Sequence, residues 1–197
     1  MAILCYHGVE DGWSSPLALA PEQFARHCDW LGGHRRVVGL GEAIDRLDGG
    51  GRLSRGTTLL TFDDGFAGLH RHALPVLRQR RLPATVFLVA GTLTVSGAGV
   101  DWVDDPPATP LRTLSRNQVL EMHQAGISFG SHSFSHRDLT SLTEADCERD
   151  LRASRELLED LLAEPIRWLA YPRGLHNEGV RRAAARAGFT HGFTLPQ

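Results

Sequence analysis

The sequence predicts an α/β protein whose strands are parallel and form either a barrel or a doubly wound sheet. Short apolar or β-branched runs alternate along the chain with longer amphipathic segments, as expected for parallel strands joined by crossover helices. The chain has 197 residues, which is enough for one domain with a sizeable core and too few for two ordinary domains. We therefore expect a single domain of repeated strand–helix units.

Seven short segments carry the strand pattern, because each is dominated by apolar, β-branched or aromatic residues. They are residues 2–6, 36–39, 58–62, 84–89, 127–130, 168–171 and 190–195. Two further stretches, 47–56 and 94–113, are rich in glycine or proline and are predicted to be loops.

Start and stop signals delimit the helices. Ser115 and Gln118 have the spacing of a capping box, and Gly126 is expected to end the helix that they begin. Asn177 is expected to cap the last helix, which Gly188 stops.

The longest helix is expected to begin after Thr143. Apolar and small residues then recur at steps of four and three, which predicts one stripe that faces the core. The stripe consists of Cys147, Leu151, Ser154, Leu158 and Leu161.

Composition argues against several classes of protein. The formal net charge of −2 and the lack of a Lys/Arg block argue against nucleic-acid binding, which depends on phosphate neutralisation. No stretch approaches the roughly 20 apolar residues of a membrane span. Three scattered cysteines, Cys5, Cys28 and Cys147, indicate neither a disulfide framework nor a thiolate zinc knot, and we expect them to be small buried hydrophobes.

Polar residues gather where three of the predicted strands end. The sequences are TFDDG at 61–65, ISFGSHSFSH at 127–136 and LAYPRG at 169–174. Because the carboxyl ends of parallel strands form the functional face of α/β architectures, these three segments are expected to meet there.

Each segment is ambiguous alone, since Asp-Asp-Gly is also a turn sequence and two histidines four residues apart are common on surfaces. Together they supply a carboxylate and two imidazoles, which is a ligand set for a catalytic divalent metal. One of Asp63 and Asp64 would bind the cation with His132 and His136, and the other would act as a general base. The residues alone do not separate the two roles.

These three motifs, in this order, resemble the first three motifs of the polysaccharide deacetylases, the NodB-homology carbohydrate esterases. The segments ILCYHGV at 3–9 and LPATVFLV at 82–89 extend the resemblance over nearly the whole chain. The resemblance implies a distorted (β/α)7 barrel over residues 1–197. It also implies one divalent metal ion, usually zinc, and hydrolysis of N-acetyl groups on amino-sugar polymers.

The resemblance also assigns roles residue by residue. The first aspartate, Asp63, would be the general base that takes a proton from the attacking water. The second, Asp64, would hold the metal together with His132 and His136. In the third motif, the backbone N–H of Arg173 would stabilise the oxyanion.

The third motif departs from the family pattern. Residues 170–174 read AYPRG where many members have Arg-Pro-Pro-Tyr-Gly, so the arginine that orients the catalytic aspartate is missing from its usual place. Arg173 and Arg167 are the candidates to replace it. Tyr171 is expected to shape the substrate groove, and we predict Tyr171, Arg173 and His7 as substrate contacts.

The family's later Leu-x-His motif, whose histidine protonates the leaving amine, is also absent. The chain stops at Gln197, which cannot act as a general acid. We therefore expect either a truncated sequence or another proton donor, with His7 and His176 as candidates. Of the tryptophans, Trp168 is expected in the core, and Trp102 is expected to contact substrate.

The leading hypothesis is a metal-dependent N-deacetylase acting on a glycan that contains N-acetylglucosamine. Its rivals are a hydrolase of non-sugar C–N or acyl bonds on the same fold and a catalytically silent barrel that binds glycan. The N-terminus lacks the pattern of a signal peptide, which predicts a cytoplasmic protein unless a leader has been removed. The family resemblance points instead to the cell envelope or exterior.

Overall fold

The computed structural model describes residues 1–94 and 96–195, so Pro196 and Gln197 at the end of the chain lie outside the described residues. The strands are β1 (Ala2–Tyr6), β2 (Gly8–Val9), β3 (Ala18–Leu19), β4 (Arg36–Val37), β5 (Thr57–Phe62), β6 (Thr85–Leu88), β7 (Ser128–Ser131), β8 (Trp168–Ala170) and β9 (His191–Phe193). The α-helices are α1 (Pro21–His34), α2 (Leu40–Asp48), α3 (Leu74–Arg80), α4 (Arg116–Gln124), α5 (Glu144–Leu162) and α6 (Glu178–Arg186).

One parallel sheet organises the molecule. Its order is β1-β5-β6-β7-β8-β9, and β4 pairs with the beginning of β5. These seven strands are the seven that the sequence predicts, each within a few residues of the expected bounds. The sheet curls into a half-barrel, which confirms the parallel α/β barrel. In the described part of the chain, β1 and β9 do not pair, so the barrel is open between them.

Two of the three core clusters lie on opposite faces of the sheet, because the central strands are buried on both faces. Residues that point outward, such as Phe62, Val86 and Phe129, pack against the surrounding helices. Residues that point inward form a smaller cluster that includes Leu59 and Phe87. Trp168 packs against this inner cluster, as predicted. The inner cluster fills only part of the barrel, which leaves space below the carboxyl ends of the strands.

The predicted helix caps are present. Ser115 and Gln118 form a reciprocal capping box, and the side chains of Thr143 and Asn177 accept backbone hydrogen bonds at the starts of α5 and α6. In α5, Leu161 is partly buried and packs against the core, as predicted. Leu162 is buried more deeply, because the last step of the fully buried stripe is four residues rather than three.

The short strands β2 and β3, which pair with each other after β1, were not predicted from the sequence. The cysteines were predicted to be buried, which is correct for Cys28 and Cys147 and wrong for Cys5, which is exposed at the open edge of the barrel. Among the described residues, no helix combines the length and the apolar character needed to cross a membrane.

A group of charged side chains links α5 to α6. Glu144 accepts hydrogen bonds from Arg182 and Arg186, which lower the pKa of its carboxyl group from 4.5 to about 2. Because folding favours the ionised form, these contacts stabilise the protein above pH 4.5, and the stabilisation is lost as pH falls toward about 2.

We therefore expect Glu144→Gln to lower stability at pH 7 and to flatten the loss of stability between pH 4.5 and 2. Urea unfolding at several pH values would measure both changes, which should shrink at high salt because the groups are exposed. Glu156→Gln on the exposed side of α5 serves as the control. An unchanged pH dependence in Glu144→Gln would contradict the assignment.

Candidate active site

The two adjacent aspartates after β5 point to different places. The backbone N–H of Asp63 donates to the carbonyl oxygen of Tyr6, which continues the pairing of β5 with β1. Asp64 then adopts a positive φ of 67°, and Gly65 follows with 70°. A Cβ atom on Gly65 would lie 2.6 Å from Leu88 Cδ2, so glycine is required here. This turn separates the two carboxylates.

Both histidines of the second motif face Asp64. The imidazole of His132 donates from Nδ1 to the carbonyl oxygen of Ala170 at 2.8 Å, which leaves Nε2 as the nitrogen that faces the carboxylate. His132 Nε2 lies 3.8 Å from Asp64 Oδ1, and His136 Nε2 lies 3.1 Å from the same oxygen. The structure thus brings together residues from the ends of β5 and β7.

A network of side chains holds the loop that carries these histidines. Ser131 Oγ accepts from the N–H of Ser133 and pairs with Ser154 Oγ of α5 at 2.6 Å. Ser133 Oγ in turn accepts from the N–H of His136. Ser133 and His136 both have positive φ, a strained conformation that the surrounding bonds maintain. Asp150 of α5 accepts from the N–H of Phe134 and from the hydroxyl of Ser135.

The cluster of Asp64, His132 and His136 fits a divalent cation. Its three donor atoms lie within 4.8 Å of one another, and all three residues are buried. Burial by itself raises the pKa of Asp64, but the hydrogen bond from His136 and the charge of His132 outweigh it, so the net pKa is below the ordinary value. Two imidazoles and a carboxylate are a donor set that zinc prefers.

Asp63 faces the open interior of the barrel. The thiol of Cys5 donates to Asp63 Oδ2 at 3.4 Å, and a ring nitrogen of His7 lies within 4.8 Å of both groups. Although Cys5 is exposed as a residue, its thiol group faces the protein, and desolvation of the thiol together with the neighbouring Asp63 carboxylate raises its pKa. A cavity of about 260 Å³ adjoins these side chains, and Tyr171 is also among its lining residues. His7 and Tyr171, both predicted as substrate contacts, therefore lie near Asp63.

The arginines do not occupy the position that the third motif suggested. The side chains of Arg173 and Arg167 are exposed, and within residues 1–94 and 96–195 neither forms a hydrogen bond or ion pair with Asp63. Arg173 lies in the tight turn Pro172–Gly174 with a φ of 58°. His176 packs against Tyr171, and its Nδ1 lies 3.2 Å from Arg181 Nη1. Cys5 and His7 are instead the side chains beside Asp63.

Trp102 contacts the cluster directly, which the sequence analysis did not predict. Its indole Nε1 donates to Asp64 Oδ1 at 3.1 Å, and its ring lies 4.8 Å from the ring of His136. From the sequence, Trp102 was predicted only as a sugar contact, because no local sequence pattern indicates that the proline-rich loop contacts Asp64. Its indole orients the carboxylate from outside the cluster.

We expect Trp102→Phe to weaken binding of a divalent cation by about 10–100-fold, because the ring remains but the hydrogen bond that orients Asp64 is lost. Calorimetric titration with Zn²⁺ would measure the change. Trp30→Phe is a matched control, because the Trp30 side chain is exposed on the surface of α1. An affinity equal to that of the unmodified chain would show that the indole has no such role.

Comparisons with known proteins agree with this geometry. A protein-family model described as polysaccharide deacetylase matches residues 50–192. YxkH of Bacillus subtilis is 28% identical over 196 residues, which are 98% of this chain and 64% of YxkH. The poly-β-1,6-N-acetyl-D-glucosamine N-deacetylase of Staphylococcus epidermidis is 26% identical over 193 residues, which are 91% of this chain and 62% of that protein.

The solved structure of IcaB from Ammonifex degensii superposes with a TM-score of 0.83 at 29% identity, covering 98% of this chain and 82% of that chain. The half-barrel is the fold that this chain shares with that solved structure. The family match extends over more than half of the sequence. The chain belongs to the polysaccharide deacetylase family, and it spans less than two thirds of the length of the two curated relatives above.

Proposed function

We propose that this chain is a metal-dependent hydrolase that removes N-acetyl groups from N-acetylglucosamine units of a polysaccharide or glycoconjugate. One observation carries the proposal: a buried carboxylate and two imidazoles converge, while a second carboxylate at the same strand end points into an open cavity. The name of the Staphylococcus epidermidis relative supports an N-acetylglucosamine polymer as the substrate.

Asp64, His132 and His136 would hold the cation, with zinc the best match to two nitrogens and one oxygen. When bound, the cation would supply a Lewis acid that polarises the amide carbonyl. Asp63 does not contact the two histidines closely, so its carboxylate is available to accept a proton from the attacking water. The backbone N–H of Arg173 is the proposed donor to the oxyanion.

His7 is the proposed proton donor to the leaving amine. Its ring lies beside Asp63 at the carboxyl end of β1, whereas His176 packs on Tyr171 and faces Arg181. A donor next to the general base can reach the scissile bond from the side of the cavity. This geometry favours His7 over His176, the other candidate.

The test of the proposed function is acetate release from N-acetylglucosamine oligomers by the zinc-loaded chain. Simple N-acyl amides, offered in parallel, separate a sugar deacetylase from a general amidase. Release from the oligomers alone supports the proposal. Turnover of the amides with none from the oligomers would favour the rival hydrolase, and stoichiometric zinc with no turnover of either would favour a silent barrel.

We expect His7→Gln to lower kcat for acetate release about 10²-fold and to remove one limb of its pH profile, because a general acid is lost. His176→Gln is the matched control and should retain the pH profile of the unmodified chain. The paired kinetics would be recorded with zinc loaded into each variant. Equal losses in both variants, or a loss in His176→Gln alone, would contradict the assignment.

A further inference from the structure

The carboxyl end of β1 carries a second group of metal-binding side chains beside the Asp64 cluster. In the parallel register, Cys5 lies opposite Thr61 and Tyr6 opposite Phe62. The Asp63 N–H donates to the Tyr6 carbonyl oxygen, which continues this pairing and brings His7 next to Asp63. Because side chains alternate along a strand, Cys5, His7 and Asp63 all face the barrel interior. Three donors of different chemistry, sulfur, nitrogen and oxygen, therefore meet on one surface.

The distances are close to those of a metal site. Tetrahedral zinc bonds to sulfur and to nitrogen or oxygen place neighbouring donor atoms about 3.5 Å apart. Cys5 Sγ and Asp63 Oδ2 already lie 3.4 Å apart, and all three donors lie within 4.8 Å of one another. A side-chain movement of about 1 Å closes the widest gap to the separation that zinc requires.

The surroundings allow a cation to enter. Cys5 is exposed at the open edge of the barrel, and the adjoining cavity of about 260 Å³ has room for a water as fourth ligand. A thiolate favours zinc and cadmium over magnesium or calcium. The Asp64 cluster contains no sulfur ligand. The group at Cys5 should therefore discriminate more strongly than the Asp64 cluster between zinc or cadmium and magnesium or calcium.

We propose that Cys5, His7 and Asp63 form a second site, selective for thiophilic divalent cations such as zinc, whose occupation inhibits the hydrolase. The inhibitory part rests on the proposed function. On binding, the thiol proton leaves to solvent as the sulfur–metal bond forms. The Asp63 carboxylate and the His7 lone pair then bind the cation, so neither is free to accept or donate a proton.

Titration with Cd²⁺ tests the site without any substrate, because a thiolate–cadmium charge-transfer band in the ultraviolet reports only a sulfur ligand. We expect the unmodified chain to bind two equivalents, a first at the Asp64 cluster and a second at Cys5, and only the second should produce the band, whichever of the two fills earlier. Cys5→Ser should bind one equivalent and show no band. Cys147→Ala, which removes a buried thiol, should keep both the second equivalent and the band.

His7→Gln provides a second variant in which the thiol remains. We expect it to keep the first equivalent and to bind the second about 10–100-fold more weakly. A band that persists in Cys5→Ser, or a single equivalent without a band in the unmodified chain, would overturn the proposal.

The inhibitory role is tested by measuring acetate release by the unmodified chain and by Cys5→Ser, at one equivalent of zinc and in excess zinc. The rate of each protein in excess zinc is divided by its own rate at one equivalent. Excess zinc should lower the rate of the unmodified chain at least roughly tenfold, since the general base is blocked. Cys5→Ser should lose less than roughly twofold. Equal inhibition of both forms would overturn the inhibitory role. Absence of acetate release from every form counts against the proposed function, whereas the cadmium band still supports the site.

Discussion

Asp63→Asn should lower kcat for acetate release about 10²–10⁴-fold while the chain still binds one equivalent of zinc at the Asp64 cluster. Asparagine has the shape of aspartate but accepts no proton at neutral pH. The structure separates the two effects, because Asp63 faces Cys5 and the cavity, whereas Asp64 faces the histidines. Steady-state kinetics and metal analysis of the same preparation would measure both.

The control for Asp63→Asn is Asp160→Asn, the same change on the exposed side of α5. It should leave kcat and bound zinc unchanged. If Asp63→Asn lost the zinc and Asp64→Asn retained it, the roles of the two aspartates would be reversed. If Asp63→Asn kept full activity, the general base would have to be another group.

Asp64→Ala should abolish zinc binding at the Asp64 cluster and, with it, all measurable acetate release. Asp64 supplies the only carboxylate among the three donors of its cluster, and its Oδ1 atom is the point that both imidazoles and the Trp102 indole face. Without it, two imidazoles remain, which are too few ligands for a stable zinc site. In a Cys5→Ser background, which removes the thiol of the second group of donors, zinc should therefore raise Tm when Asp64 is present and leave Tm unchanged in Asp64→Ala.

A more conservative substitution at Asp64 separates loss of zinc binding from loss of the fold. Asp64→Asn retains the size of the side chain and its acceptor oxygen but removes the charge, so its fold should persist while its zinc affinity falls. Circular dichroism without metal would establish that the fold is retained. In the Cys5→Ser background, full zinc affinity in a folded Asp64→Asn or Asp64→Ala chain would show that the catalytic cation binds elsewhere.

Much of the fold follows from local sequence. Each strand of the main sheet was predictable from a short run rich in apolar, β-branched or aromatic residues, and in the central strands β5 and β6 the run is continuous because both of their faces are buried. The caps at Ser115, Thr143 and Asn177 were predictable for a similar reason, since a capping side chain bonds within three residues of itself. Where a prediction depended on one step of helical phase it was less exact, since Leu161 packs against the core but its neighbour Leu162 is buried more deeply.

The site was predictable in part. The residues of the Asp64 cluster follow strand ends, and the ends of parallel strands meet at one edge, so their convergence followed from the fold class. The sequence alone left the roles of Asp63 and Asp64 open. Only the positive φ of Asp64 in the structure separates the directions of the two carboxylates.

Other features were decided by the tertiary structure alone. The contact of Trp102 with Asp64 joins a loop to a strand end 38 residues away, and the contact of Cys5 with Asp63 spans 58 residues. Local periodicity carries no information about such pairs, because they depend on strand order, register and the curl of the sheet. The sequence by itself determined the fold class and the donor set of the Asp64 cluster. The tertiary structure decided which groups surround each carboxylate, because only folding of the whole chain brings residues distant in sequence into contact.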